Sequence, residues 1–263
     1  MKYFDSHAHY YDSRFESEYE GSVDSLISSL LSSEVGAIVN VGTSPETSRL
    51  AVEQAKRFDN MYTAIGIHPS DAQYLECDMN SALDSIVSLI NDPASRCVAL
   101  GEIGLDYHYP DTDKELQKKY LDAQLELARS LDLPVVIHDR DSHADILEAV
   151  RRHKGVRGVF HSYSGGCEMA EELIGLGYFI SFSGTLTFTN ARRPREVARM
   201  LPRDMVLIET DCPYLAPHPK RGTLNHSANL VYTNSALATE WGISDEECAD
   251  ITFENARRFF GIK

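Results

Sequence analysis

No long apolar run occurs in this 263-residue sequence. Nothing approaches the ~20 consecutive apolar residues that a membrane-spanning helix needs, and the opening MKYFDSHAH lacks the apolar core of a secretory signal. Paired cysteines are missing too. The five present (Cys77, Cys97, Cys167, Cys212 and Cys248) are scattered and never form a CxxC pair. That argues against a disulfide framework or a thiolate zinc site and makes a reducing cytoplasm the expected compartment. Basic charge is in short supply: 25 Lys and Arg stand against 40 Asp and Glu, for a formal charge of −15. Broad electrostatic capture of nucleic acid relies on a basic footprint and is disfavoured. A phosphate-bearing ligand would need a local site, such as metal ions. Linkers and low-complexity tracts are also absent, so one domain over residues 1–263 is expected.

What the chain does have is a repeating alternation. The apolar runs KYFDSHAH, VGAIVNVG, YTAIGIHP, CVALGEIGLDY, LPVVIHDRD, GVFHSYSG, YFISFSG and MVLIETDCPYL are separated by amphipathic stretches such as SVDSLISSLLSSE, SPETSRLAVEQAKRF, KELQKKYLDAQLELARSLD and SHADILEAVRRH. Several of these stretches open on Ser, Asp or Thr positions that can cap a helix. Strands alternating with helices, and apolar almost throughout, predict parallel βαβ units covered on both faces. Eight units close into a single (β/α)8 TIM barrel, of fold class α/β, more naturally than they form an open doubly wound sheet. The tail SDEECADITFENARRFFGIK reads as a last amphipathic helix, with Phe253, Phe259 and Phe260 available for packing.

The polar residues of these runs recur at one place. In strand after strand the apolar run stops at a His, Asp or Glu: His7, His9, His68, Glu102, His138, His161 and Asp211. In a parallel barrel that place is the C-terminal mouth, where active sites are built. His7 and His9, two apart on one strand, share a face. Four imidazoles (His7, His9, His138, His161) and two carboxylates (Glu102, Asp211) suit Zn2+, Mn2+ or Mg2+, because no thiolate takes part. Six ligands exceed what one open catalytic ion needs, whereas two ions sharing a carboxylate use them all. Glu102 is the natural bridge, with His7, His9 and Asp211 on one ion and His138 and His161 on the other. Such a pair activates water and clamps the attacking and leaving oxygens of a phosphodiester. Asp211 could also accept the proton of the attacking water, and Glu209, of the same strand parity, could orient a ligand histidine.

Each of these residues also has a plainer reading. A lone strand-end histidine is more often a hydrogen-bonded structural residue, but six ligand-type residues at matching strand ends are hard to assemble by chance. His108, His143, His153, His218 and His226 read as surface residues. Asp5 reads as an ordinary strand-end carboxylate, and Tyr10 and Tyr11 as packing groups or substrate contacts alike.

The segments DSHAH, GIHP, GEIGLDY, IHDRD, HSYSG and ETDCPYLAP, in that order over residues 5–217, resemble the motifs of the TatD family of metal-dependent deoxyribonucleases. The resemblance implies a TIM barrel of the amidohydrolase-like superfamily, Mg2+ or Zn2+ dependence, and nuclease activity that includes 3′→5′ exonuclease action on DNA. Carried over by position, it implies the same six metal ligands and puts His68 of GIHP near the substrate phosphate rather than on a metal. Ser162 and Ser164 of HSYSG, with their loop amides, are candidates to cradle phosphate oxygens. Arg140 and Arg221 are candidates to grip phosphate through their guanidinium forks, or equally to form rim salt bridges. Two departures stand out. Tyr10-Tyr11 precede Asp12 where the family often has Leu-Asp, and Asn225-His226-Ser227 stands where it often has Asn-Glu-Pro. They leave the roles of Asp12 and of the second loop open and the metal set untouched.

Two divalent cations bring about +4 of local charge, enough to receive a phosphodiester without a basic surface. That favours ends or short single strands over long duplex. The expectation is a cytoplasmic two-metal hydrolase cutting DNA from a 3′ end, with no membrane and no obligate protein partner. Its rivals are the same centre hydrolysing another ester or amide, as a deacylase or small phosphoesterase does, and a non-catalytic metal-binding scaffold.

Overall fold

The apolar runs form strands that pair side by side in chain order, all parallel. In a computed structural model describing residues 1–263, these are β1 (Tyr3–Ala8), β2 (Val35–Val41), β3 (Met61–Ile65), β4 (Cys97–Asp106), β5 (Val135–Arg140), β6 (Gly158–Phe160), β7 (Phe179–Phe182) and β8 (Val206–Ile208). The ring closes where the chain leaves β8. His9 N donates to Cys212 O at 2.8 Å and Asp211 N donates to His7 O at 2.9 Å, with an isolated parallel bridge between Ala8 and Cys212. The bonds that complete the barrel therefore fall on three of the strand-end residues.

Helices cover the outside: α1 (Ser13–Glu18), α2 (Val23–Ser32), α3 (Pro45–Ala55), α4 (Pro69–Ala72), α5 (Met79–Ile90), α6 (Lys114–Leu131), α7 (His143–Arg152), α8 (Cys167–Gly175), α9 (Arg192–Met200), α10 (Leu230–Trp241) and α11 (Asp245–Phe260). No helix is long and apolar enough to cross a membrane. Caps start them where the sequence offered them. Ser22, Asp113 and Ser244 accept backbone N–H groups of the first turns of α2, α6 and α11, and Ser44 forms a reciprocal capping box with Thr47 on α3. Ser142 is an exception: its hydroxyl donates to Leu105 O and Asp139 Oδ1 instead of capping α7.

The N-terminal mouth is plugged. Phe4 of β1 stacks on Phe260 and meets the edge of Phe253, both at 5.8 Å between centroids, and Phe179 of β7 meets Phe259 at 4.9 Å. The aromatic face of α11 thus joins Val39, Val136, Val159 and Leu207 in one apolar cluster at that end. Side chains alternate along a strand, so Val136 and Val159 are followed two residues on by His138 and His161, and Leu207 by Glu209 and Asp211. The strand faces that fill the barrel below end in titratable groups above.

Candidate metal centre

The C-terminal mouth brings all six expected ligands together. On one side, His7 Nε2 and His9 Nε2 are 3.0 Å apart. Asp211 Oδ1 lies 3.7 and 3.3 Å from those nitrogens, and Glu102 Oε2 lies 3.3 and 3.8 Å from them. On the other side, Glu102 Oε1 is 2.8 Å from both His138 Nδ1 and His161 Nε2, which are 3.2 Å from each other. Glu102 faces one cluster with each oxygen. Local backbone holds it there: the flanking Gly104 has φ +149°, and a Cβ on it would run into the carbonyl of His138. Asp211 has φ +57°, a region costly for a residue with a side chain, and its bond to His7 O fixes that turn.

Hydrogen bonds on the far side of His9 and His138 set which nitrogen faces inward, whereas His7 Nδ1 is buried without a partner. His9 Nδ1 is 2.7 Å from the Val41 carbonyl, which can only accept; the proton therefore sits on Nδ1 and the bare Nε2 points at the cluster. His138 Nε2 is 3.1 Å from Asp106 Oδ2, leaving Nδ1 to face Glu102. His161 Nδ1 lies 3.3 Å from Glu209 Oε1, within ion-pair reach but without a hydrogen bond. The electrostatics follow. Burial pushes the Glu102 carboxyl up, yet His161, His68 and His7 overcome it and hold it well below the usual range. Burial likewise opposes charge on His161, but Glu102 and Glu209 lift its pKa well above the ordinary imidazole value, and His9 and His138 are raised in the same way. Imidazoles and carboxylates converge in three overlapping groups, His7–His9–Asp211, His7–Glu102–His161 and His68–Glu102–His138, a donor set that suits divalent cations.

The centre floors a cleft of about 910 Å³. His68 opens α4 at its edge. Its Nδ1 accepts the Ser70 N–H, so the Nε2 proton faces inward, 3.5 Å from Glu102 Oε1. Arg140 is exposed at the mouth, with its guanidinium 5.7 Å from the Tyr109 ring centroid, and Ser164 is exposed on the rim.

Some expectations need correction. The Ser162 amide does not stand free for a phosphate, because it donates to Glu209 Oε1 at 2.6 Å, and the hydroxyl is taken up by Ser183. Arg221 does not line this cleft. It stacks 4.0 Å from the Phe188 ring centroid in an adjoining groove. His226 is half-buried with an unpartnered Nδ1 rather than a surface residue. Asp5 is fully buried and far from ordinary: it accepts the Thr210 amide and hydroxyl and the Ser227 hydroxyl, at 3.0, 2.7 and 2.6 Å. The divergent 225–227 loop is therefore strapped to the strands that carry His7 and Asp211. Tyr10, fully buried and bonded to Ser227, packs; Tyr11 bonds Val41 O.

Four side chains do more than the sequence assigns them. Asp106 shares β4 parity with Glu102, a signal that was there to read. Asp12 caps α1 and accepts the Tyr214 hydroxyl at 2.6 Å, and that pairing depends on a loop contact no local pattern announces. Tyr214 and Tyr109 are two of only six large apolar side chains left exposed, and both line the cleft.

Comparisons with known proteins agree with the fold and with metal-dependent hydrolysis. The family model for TatD related DNase matches residues 4–261. The chain is 36% identical over 263 residues to the uncharacterized metal-dependent hydrolase YabD of Bacillus subtilis, covering 98% of this chain and 99% of that one. It is 38% identical over 209 residues to the uncharacterized metal-dependent hydrolase YcfH of Escherichia coli, covering 78% and 75%. The crystal structure of YjjV, a TatD homolog from E. coli, superposes with a TM-score of 0.88 at 28% identity, covering 99% and 98%. The chain belongs to the TatD-related DNase family and is a metal-dependent hydrolase of the TatD type.

Proposed function

We propose that this hydrolase cleaves phosphodiester bonds in DNA at the ends of single strands, releasing nucleotides from the 3′ end, with two divalent cations (Mg2+, Mn2+ or Zn2+). The observation that carries the reading is Glu102, whose two oxygens each face a separate imidazole cluster. One cation would be held by His7, His9, Asp211 and Glu102, the other by His138, His161 and Glu102. Bound there, the ions supply Lewis acidity and neutralise charge on phosphoryl oxygens.

The chain's own residues do the rest. Asp211 is held ionised: burial opposes its charge, but His9, His7 and His161 pull its carboxyl below the usual range. It accepts the proton of the attacking water. His68, held as the Nε2–H tautomer by Ser70, donates a hydrogen bond to a phosphoryl oxygen and positions the scissile group. Asp106 and Glu209 keep the His138 and His161 rings turned inward. Arg140 meets a further phosphate at the mouth. The acidic balance of the rest of the surface agrees with short-range capture of ends rather than of long duplex.

The test is release of mononucleotides from single-stranded DNA beside hydrolysis of a carboxyl ester, each with and without chelator. Chelator-sensitive nucleotide release supports the reading. Turnover of the ester alone overturns it in favour of a deacylase-like activity, and no turnover of either overturns catalysis.

A further inference from the structure

We infer that the groove beside the metal cleft is a second nucleotide subsite, which receives the strand as it leaves the metal centre on the β8 side. This rests on the nuclease reading above and adds where the rest of the substrate lies. The groove, about 360 Å³, includes Arg14, Phe188, Tyr214, Leu215 and Arg221 in its lining. Tyr214 and Leu215 also line the metal cleft, so the two spaces adjoin at these residues.

Two cation–aromatic pairs line it. The Arg14 guanidinium lies 5.6 Å from the Tyr214 ring centroid, and the Arg221 guanidinium lies 4.0 Å from that of Phe188. Arg14 is already paired with Glu18, whereas Arg221 and its neighbour Lys220 are exposed and enter no ion pair. In a chain with 15 more acidic than basic groups (40 against 25), a free guanidinium on an aromatic face, one step from a metal cleft, is where an anionic backbone with unpaired bases is recognised.

The geometry is preset. Asp12 accepts the Tyr214 hydroxyl at 2.6 Å and fixes the ring beside His9, with centroids 6.4 Å apart. His218 N donates to Thr187 Oγ1 at 2.7 Å and draws the loop after β8 against the segment that carries Phe188. A base leaving the centre stacks on Tyr214, and the next phosphate meets Arg221. The plainer alternative is that the Arg221–Phe188 pair only staples the loop.

Dissociation constants decide between them. They are measured on the Mn2+-loaded protein for phosphorothioate oligothymidylates of two, four and six nucleotides. A six-nucleotide chain with abasic residues beyond the terminal two serves as control. Wild-type affinity is expected to rise roughly tenfold or more with length, and the abasic chain to bind like the dinucleotide. Tyr214→Ala and Arg221→Gln flatten the series, while Tyr214→Phe keeps most of it. A flat wild-type series, an equal gain for the abasic chain, or an unchanged gain in both variants overturns the subsite. A lowered melting temperature in Arg221→Gln with the length series intact selects the staple. Hydrolysis of DNA with a flat series ends the subsite alone, and a normal series without hydrolysis ends the nuclease reading alone.

Discussion

The two mouths of the barrel are built on the same eight strands and could hardly differ more. The N-terminal mouth is closed by Phe4, Phe179, Phe253, Phe259 and Phe260, with no titratable group among them. The C-terminal mouth collects His7, His9, Glu102, His138, His161 and Asp211. Strand parity links the two, since Val136 and Leu207 below become His138 and Asp211 above. The barrel keeps its stability at one end and its chemistry at the other. Each should be open to damage without the other.

Glu102→Ala is the largest test of that separation. It removes a group shared by both clusters, so turnover should fall by more than the roughly 10- to 100-fold that loss of a supporting partner costs. Far-ultraviolet circular dichroism should still report a folded barrel; unchanged turnover would refute the bridge. Phe259→Ala is its mirror image. Emptying that position should cost about 3–5 kcal/mol of stability in urea denaturation, with kcat per folded molecule unchanged. A large drop in kcat would couple the two mouths.

Smaller effects sharpen the upper mouth itself. Asp106→Asn leaves His138 without its outer carboxylate and should weaken metal binding by roughly 10- to 100-fold, read by chelator competition. Proton competition should act in the same direction. His9, His138 and His161 have raised pKa values without metal, so their nitrogens hold protons at higher pH than free imidazole does. Metal affinity should therefore fall as pH drops from about 8 to about 6, with proton uptake on metal release. Isothermal titration in two buffers of different ionisation enthalpy reads both. The mildest change is His68→Ala, which should raise KM for DNA while metal content stays constant; loss of metal would make His68 a ligand.

Sequence alone made most of this legible because the barrel repeats one rule. Each apolar run had to become a strand, and the polar residue ending it had to reach a common rim, whatever the helices between did. The same rule explains the one avoidable miss, Asp106, which stands four residues after Glu102 on the same face. The remaining misses lie where no periodicity operates. Tyr214 is carried by the loop after β8, whose path depends on Asn225 donating to the Thr210 and Tyr214 carbonyls and on Ser227 reaching Asp5. Ser162 was misread because its amide is claimed by Glu209, a partner 47 residues away.

The central claim is one carboxylate held in common by two cations. Electron paramagnetic resonance of the Mn2+-titrated protein tests it most directly. Two Mn2+ per chain with an exchange-coupled spectrum, lost in Glu102→Gln, is the predicted result. A single Mn2+ per chain, or two ions with independent spectra in the wild type, would contradict it.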